Sequence, residues 1–126
     1  MREIKFRAWH KEKKIMGNVL GIDILHKEIF FSNEDVDCYE HVDFKNIELM
    51  QYIGLKDKNG KEIYEGDILF ESFGEKYYKV VFENGSFRAE FEGDFEEYSF
   101  DLIDVVAQGY EVVGNIYQNP ELLGVS

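Results

Sequence analysis

The chain has 126 residues, of which 44% are hydrophobic and 16% aromatic, and its formal charge is −12 at pH 7. That length fits one compact domain or two very small lobes and excludes two full-sized domains; the supply of large apolar side chains excludes a disordered, charge-solvated chain. The charge is uneven: residues 1–14 carry six Lys/Arg and two Asp/Glu, and residues 83–126 carry one and ten. An acidic body with a short basic edge argues against nonspecific binding to nucleic acid or to an anionic membrane.

No run reaches the roughly eighteen apolar residues of a membrane helix, and the opening "MREIKFRAWHKEKK" is charged where a signal peptide is apolar. Cys38 is the single cysteine, so no internal disulfide is available. These features predict a cytoplasmic protein without a membrane partner.

In chain order, "EIKFRAW" sets Ile4, Phe6 and Ala8 against Lys5, Arg7 and Trp9, the period of a strand with one buried face. "HKEKK" reads as a turn, and "IMGNVLGIDI" as a second strand or pair of strands. A strand is expected near Glu28 to Phe31, a turn at "SNED", and a strand or loop from Val36 to Phe44. "FKNIELMQYIG" is ambiguous between helix and strand.

The second half is more legible. "GDILFES" begins a strand, and "EKYYKVVFE" and "SFRAEFE" flank Asn84 and Gly85, the residue pair of a tight hairpin turn. A short helix is expected around Glu96 to Val106, then a last strand with a bulge at Gly114. Asn119 before Pro120 predicts a capped C-terminal helical turn over "PELL". The fold class is therefore mainly β, short strands and hairpins with an SH3-like barrel portion and one short C-terminal helical turn. One domain spans 1–126, with sub-lobes at 1–48 (variable) and 49–126 (barrel).

Three stretches, "MREIKFRAW", "LMQYIGLKDKNGKEIYEGDIL" and "VVGNIYQNPELL", resemble in sequence and order the YopX family, small proteins of phages and prophages. The resemblance implies a mostly β fold with an SH3-like part and a phage or prophage origin. It implies no activity. His10 departs from the acidic residue that more often follows the Trp in that family.

Chemistry finds little anchorage. Placing the glycine of a calcium loop on Gly60 leaves Leu55 and Gly66 where carboxylates are required, so "KDKNGKE" is read as a turn, as is Glu65 to Asp67. Cys38 and His41, near Asp35 and Asp37, supply two good zinc ligands where a structural site takes four, so no metal or other cofactor is expected. His10 and His26 are expected in solvent. Ser32, Ser72 and Ser86 sit in turn contexts rather than a nucleophile elbow, and "GNVLG" lacks the Lys-Ser/Thr of a phosphate loop. The reading is a protein without catalysis.

It is instead expected to act through protein contacts, by self-association or by docking onto a partner protein, with Arg7, Trp9, Tyr52, Tyr64 and Tyr77 as the candidate surface. An alternative is an acidic nucleic-acid mimic: alternate strand residues such as Glu90 and Glu92 lie about 6.8 Å apart, on the scale of a phosphate repeat. A third reading gives Arg7 and Trp9 a weak nucleic-acid stacking role, which the net charge opposes.

Overall fold

The computed structural model describes residues 4–33, 39–92 and 97–124. The chain is mainly β and forms two compact units, Met1–Gln51 and Tyr52–Ser126.

In the first unit, β1 (Phe6–His10), β2 (Ile15–Asp23), β3 (Glu28–Ser32), β4 (Glu40–Asp43) and the start of β5 (Ile47–Lys56) pair antiparallel in the order β4-β3-β2-β1-β5. From Phe6 on the expected alternation is present, with Ala8 buried and Arg7 and Trp9 sharing the opposite face; Ile4, expected on the buried face, precedes the strand and is 73% exposed. Ala8 lies opposite Gly17, and the absence of a side chain at Gly17 is required. A Cβ there would come within 2.5 Å of the Phe31 ring and 2.7 Å of Ser32 O. Phe31, Ile29, Val42 and Ile47 complete the core around Ala8.

His10 corrects the sequence expectation. It is 5% exposed, because strand period places it on the Ala8 side, where it meets the Phe31 ring edge-on at 5.5 Å. The Lys13 N–H donates to its Nδ1 at 3.2 Å. Leu20 forms a bulge, since the β2–β3 register shifts between Val19 and Gly21. The ambiguous "FKNIELMQYIG" resolves into a 3-10 turn, Phe44–Asn46, followed by β5; the Lys45 N–H donates to the capping Asp43 carboxylate at 2.9 Å. Of the "SNED" turn, Ser32 ends β3 and Asn33 is a bend, while Glu34 and Asp35 lie outside the described residues, as do Val36, Asp37 and Cys38.

In the second unit, β5 beyond Tyr52 pairs with β6 (Glu62–Tyr64), with an irregularity between Tyr52 and Lys56 around Gly54, whose φ is 86°. Strands β7 (Asp67–Glu71), β8 (Lys76–Glu83), β9 (Ser86–Glu92), β10 (Glu97–Asp101) and β11 (Glu111–Asn115) form an antiparallel sheet in the order β10-β9-β8-β7-β11. The sheet is open, with β10 and β11 as its edges, rather than closed as a barrel. Its buried face is covered by Ile53 and Ile63 of the β5–β6 hairpin, which pack with Leu69, Tyr78, Val80, Ala89 and Val112.

The β8–β9 turn has φ 54° at Asn84 and 82° at Gly85, the two positive values that a hairpin turn of this hand requires. The bulge at Gly114 is present, as a register shift between Val112 and Gly114. The helix expected over Glu96 to Val106 shrinks to α1 (Asp104–Ala107). Glu97–Asp101 is instead a strand, because β9 satisfies its backbone and Phe100 packs on Tyr78 with ring centroids 5.4 Å apart. The C-terminal turn Pro120–Leu123 is 3-10, and the Asn119 side chain does not cap it; that side chain accepts instead from the Asn115 N–H at 3.2 Å.

Candidate functional site

The stretch "KDKNG" connects β5 to β6 around Asp57, which is 4% exposed. The N–H groups of Asn59 and Lys61 donate to its Oδ1 at 2.8 and 2.9 Å, and the Val112 N–H donates to Oδ2 at 2.9 Å. Burial pushes this carboxyl up, but the three backbone donors and the nearby Lys61 charge outweigh it and hold the group below its ordinary value. A general base at neutral pH needs the opposite displacement and a free lone pair. Asp57 therefore serves as a structural acceptor.

The "EGD" turn works in the same way. Asp67 is almost fully buried, and the Tyr64 N–H donates to its carboxylate at 2.8 Å. Gly66, at φ 83°, donates to Val80 O and accepts from the Ile116 N–H, both at 2.8 Å. Asn115 then orders the turn beyond β11, its Oδ1 accepting from the N–H groups of Tyr117 and Gln118 at 3.0 and 2.9 Å. Asp57 to Val112 and Gly66 to Ile116 thus join two stretches that are more than forty residues apart in the chain.

The candidate surface residues divide between the units. Arg7 and Trp9 lie side by side on one face of β1 in the first, both half-buried. In the second, Tyr52 and Tyr64 are cross-strand partners with ring centroids 5.6 Å apart. Tyr52 is only 7% exposed and belongs to the interior, while Tyr64 is half-buried. Tyr77 is also half-buried and packs on Phe70, its cross-strand partner, at 5.0 Å.

Other side chains are more open. On the β2–β3 hairpin, Leu20 and Ile22 are exposed, and Ile24 and Leu25 at its turn are 78% and 83% exposed. Phe30 of β3 lies 4.7 Å from the ring of His41 on β4, and Tyr39, just before β4, stacks on His41 at 6.1 Å. Periodicity does not reveal the Ile24–Leu25 turn, because both residues look like strand core; the Asp-x-x-His pattern around them is the usable signal. The His26 N–H and ring both meet the Asp23 carboxylate, at 3.1 and 2.7 Å. This hydrogen bond and the Asp23 charge raise the His26 pKa, and the His26 N–H and ring lower that of Asp23.

A groove of about 550 Å³ lies in the second unit, lined by Tyr52, Gly54, Lys56, Lys58, Gly60 and Asp104 among others. Among the described residues no group of three or more His, Cys, Asp or Glu is placed to hold a metal ion. The Cys38 part of the zinc reading lies outside those residues, and His41 bonds Glu28 at 2.8 Å. No helix among them is long and apolar enough to cross a membrane.

Comparison with known proteins gives a consistent result. A crystal structure of protein EF1440 from Enterococcus faecalis is similar at 28% identity over 98% of this chain and 99% of that one, with a TM-score of 0.66. The X-ray structure of protein yopX from Bacillus subtilis, 23% identical over 98% and 99% of the two chains, shares the fold with a TM-score of 0.58. None of the curated proteins matches. The family described as YopX protein matches residues 5–124, nearly the whole length. The chain therefore belongs to the YopX family.

Proposed function

We propose that the protein is a noncatalytic accessory module of phage or prophage origin that acts through contacts with other proteins. The observation that carries this reading is the apolar run Leu20, Ile22, Ile24 and Leu25, which the β2–β3 hairpin holds in solvent. Exposed aliphatic side chains grouped on one ordered element mark protein-contact surfaces. The buried carboxylates Asp57 and Asp67 are occupied by backbone donors, which leaves them for architecture rather than proton transfer.

The nucleic-acid mimic is less well supported. Glu90 pairs with Lys79 at 3.3 Å, and Asp101 pairs with Arg88, so carboxylates on this sheet face are neutralised by their neighbours. The stacking role for Arg7 and Trp9 loses area to their partial burial.

The test is affinity purification from the producing cells with the wild-type chain and an Ile24→Ser/Leu25→Ser variant. A discrete protein recovered by the first and lost by the second, at both low and high salt, is expected. Identical recoveries sink the reading, and recovery of nucleic-acid-binding proteins only at low salt favours the mimic.

A further inference from the structure

Strand β4 ends the sheet of the first unit and, among the described residues, is paired on one side only, with β3. One bond fixes the direction of its free backbone groups. The Phe44 N–H donates to Lys27 O at 2.8 Å, so Lys27 and Phe44 form a hydrogen-bonded pair, and such pairs alternate along an antiparallel ladder. Val42 and Glu40 therefore turn their N–H and C=O groups to β3, and His41 and Asp43 turn theirs to the open side. The side chains of His41 and Asp43 are exposed as well.

Open edges are ordinarily blunted by proline, lysine, a bulge or a covering loop. On β11 the Asp57 loop has this role, its carboxylate taking the Val112 N–H. Strand β4 holds neither proline nor lysine, and its register with β3 is unbroken. Its edge is left able to accept another strand.

Side chains decide which strand that is, because cross-strand partners share a face. One face carries the row Gly21, Phe30 and His41, extended by the 56% exposed Tyr39 ring, and next to it the row Asp23, Glu28 and Asp43. The partners of that acidic row are histidines, His26 on Asp23 and His41 on Glu28, at 2.7 and 2.8 Å. On the opposite face lie Ile22, Ile29 and Val42, and Lys13 pairs there with Glu40 at 2.9 Å. Residues 28–43 contain six Asp/Glu and no Lys/Arg. A second copy of β4 would set like charges against each other, so the complement is a strand of opposite sign.

We propose that β4 docks an extended peptide of alternating basic and apolar residues, which adds antiparallel to the sheet. Its basic side chains lie over Tyr39 and His41 and reach Glu28 and Asp43, and its apolar side chains continue the Ile29–Val42 face. The proposal rests on the reading of the chain as a protein-contact module and names the chemistry of a partner segment.

Titration calorimetry of the full chain with the acetylated, amidated peptide Arg-Val-Arg-Val-Arg-Val-Arg tests it. Binding is expected, weaker at high salt, with amide NMR shifts centred on His41 and Asp43. In the proposed register the arginines exchange backbone bonds with His41 and Asp43, so N-methylated arginines should abolish binding and N-methylated valines should leave it. His41→Pro loses an N–H that faces away from β3, and should raise the dissociation constant about tenfold or more at an unchanged circular dichroism spectrum. Glu28→Gln/Asp43→Asn should weaken both the binding and its salt dependence. No binding by the wild type, equal binding of the block peptide Arg-Arg-Arg-Arg-Val-Val-Val, or indifference to arginine methylation overturns the proposal. The methylated peptides decide the matter even where His41→Pro fails to fold. Ile24→Ser/Leu25→Ser should bind the peptide as the wild type does, so its affinity purification judges the broader reading separately.

Discussion

Truncating Asp57 to Ala would leave the N–H groups of Asn59, Lys61 and Val112 without their acceptor in a buried place. Unfilled buried donors are costly, and a loss of about 3 kcal/mol in urea unfolding is expected. The titration has a definite sign. The folded-state pKa of Asp57 lies below its unfolded value, so its contribution is complete above the ordinary carboxylate range and is lost as pH falls through the folded value. The stability gap between wild type and Asp57→Asn should accordingly shrink in acid, and a gap constant with pH would refute this assignment. At Gly17 the constraint is steric, and Gly17→Ala should cost about 1–3 kcal/mol by forcing the Phe31 ring aside. "DKNG" reads as a turn from the sequence alone, because Asp and Asn-Gly carry local turn chemistry. The third donor, Val112, was not legible, since it lies 55 residues away.

The hairpins show which turns announce themselves. Asn84-Gly85 does, because both residues tolerate positive φ. Three other turns end on a non-glycine in the left-handed region: Lys14 at 56°, Lys27 at 54° and Glu75 at 52°. These residues carry no composition signal, and each bears a backbone penalty that glycine would relieve. Lys27→Gly should therefore raise stability by about 0.5–1 kcal/mol, read from a thermal midpoint, and a fall would mean that the Lys27 side chain contributes more than its backbone costs. In the same turn, His26 should titrate above an ordinary histidine by proton NMR, and Asp23→Asn should bring it back down. The acidic, aromatic run Glu97–Asp101 has no decisive period and suggests a helix by sequence; pairing with β9 makes it a strand.

Each unit has its own core, and the two cores answer to different substitutions. Ile63→Ala removes a fully buried side chain packed in the cluster of Ile53, Leu69 and Tyr78, and should cost about 2–5 kcal/mol in denaturant unfolding. A value below about 1 kcal/mol would show that the site collapses around the smaller residue.

The sequence by itself determined the mainly β class, the strands with clear alternation, the Asn84-Gly85 hairpin, the Gly114 bulge and the family. All of these follow from local periodicity, from turn residues with positive φ, or from contiguous stretches of chain. Tertiary structure alone decided that the sheet stays open, that His10 and Tyr52 are inside while Ile24, Leu25 and Phe73 are outside, and that Asp57 holds Val112. The reason is physical: period two says that two faces differ, but only the elements packed against a strand determine which face loses its water.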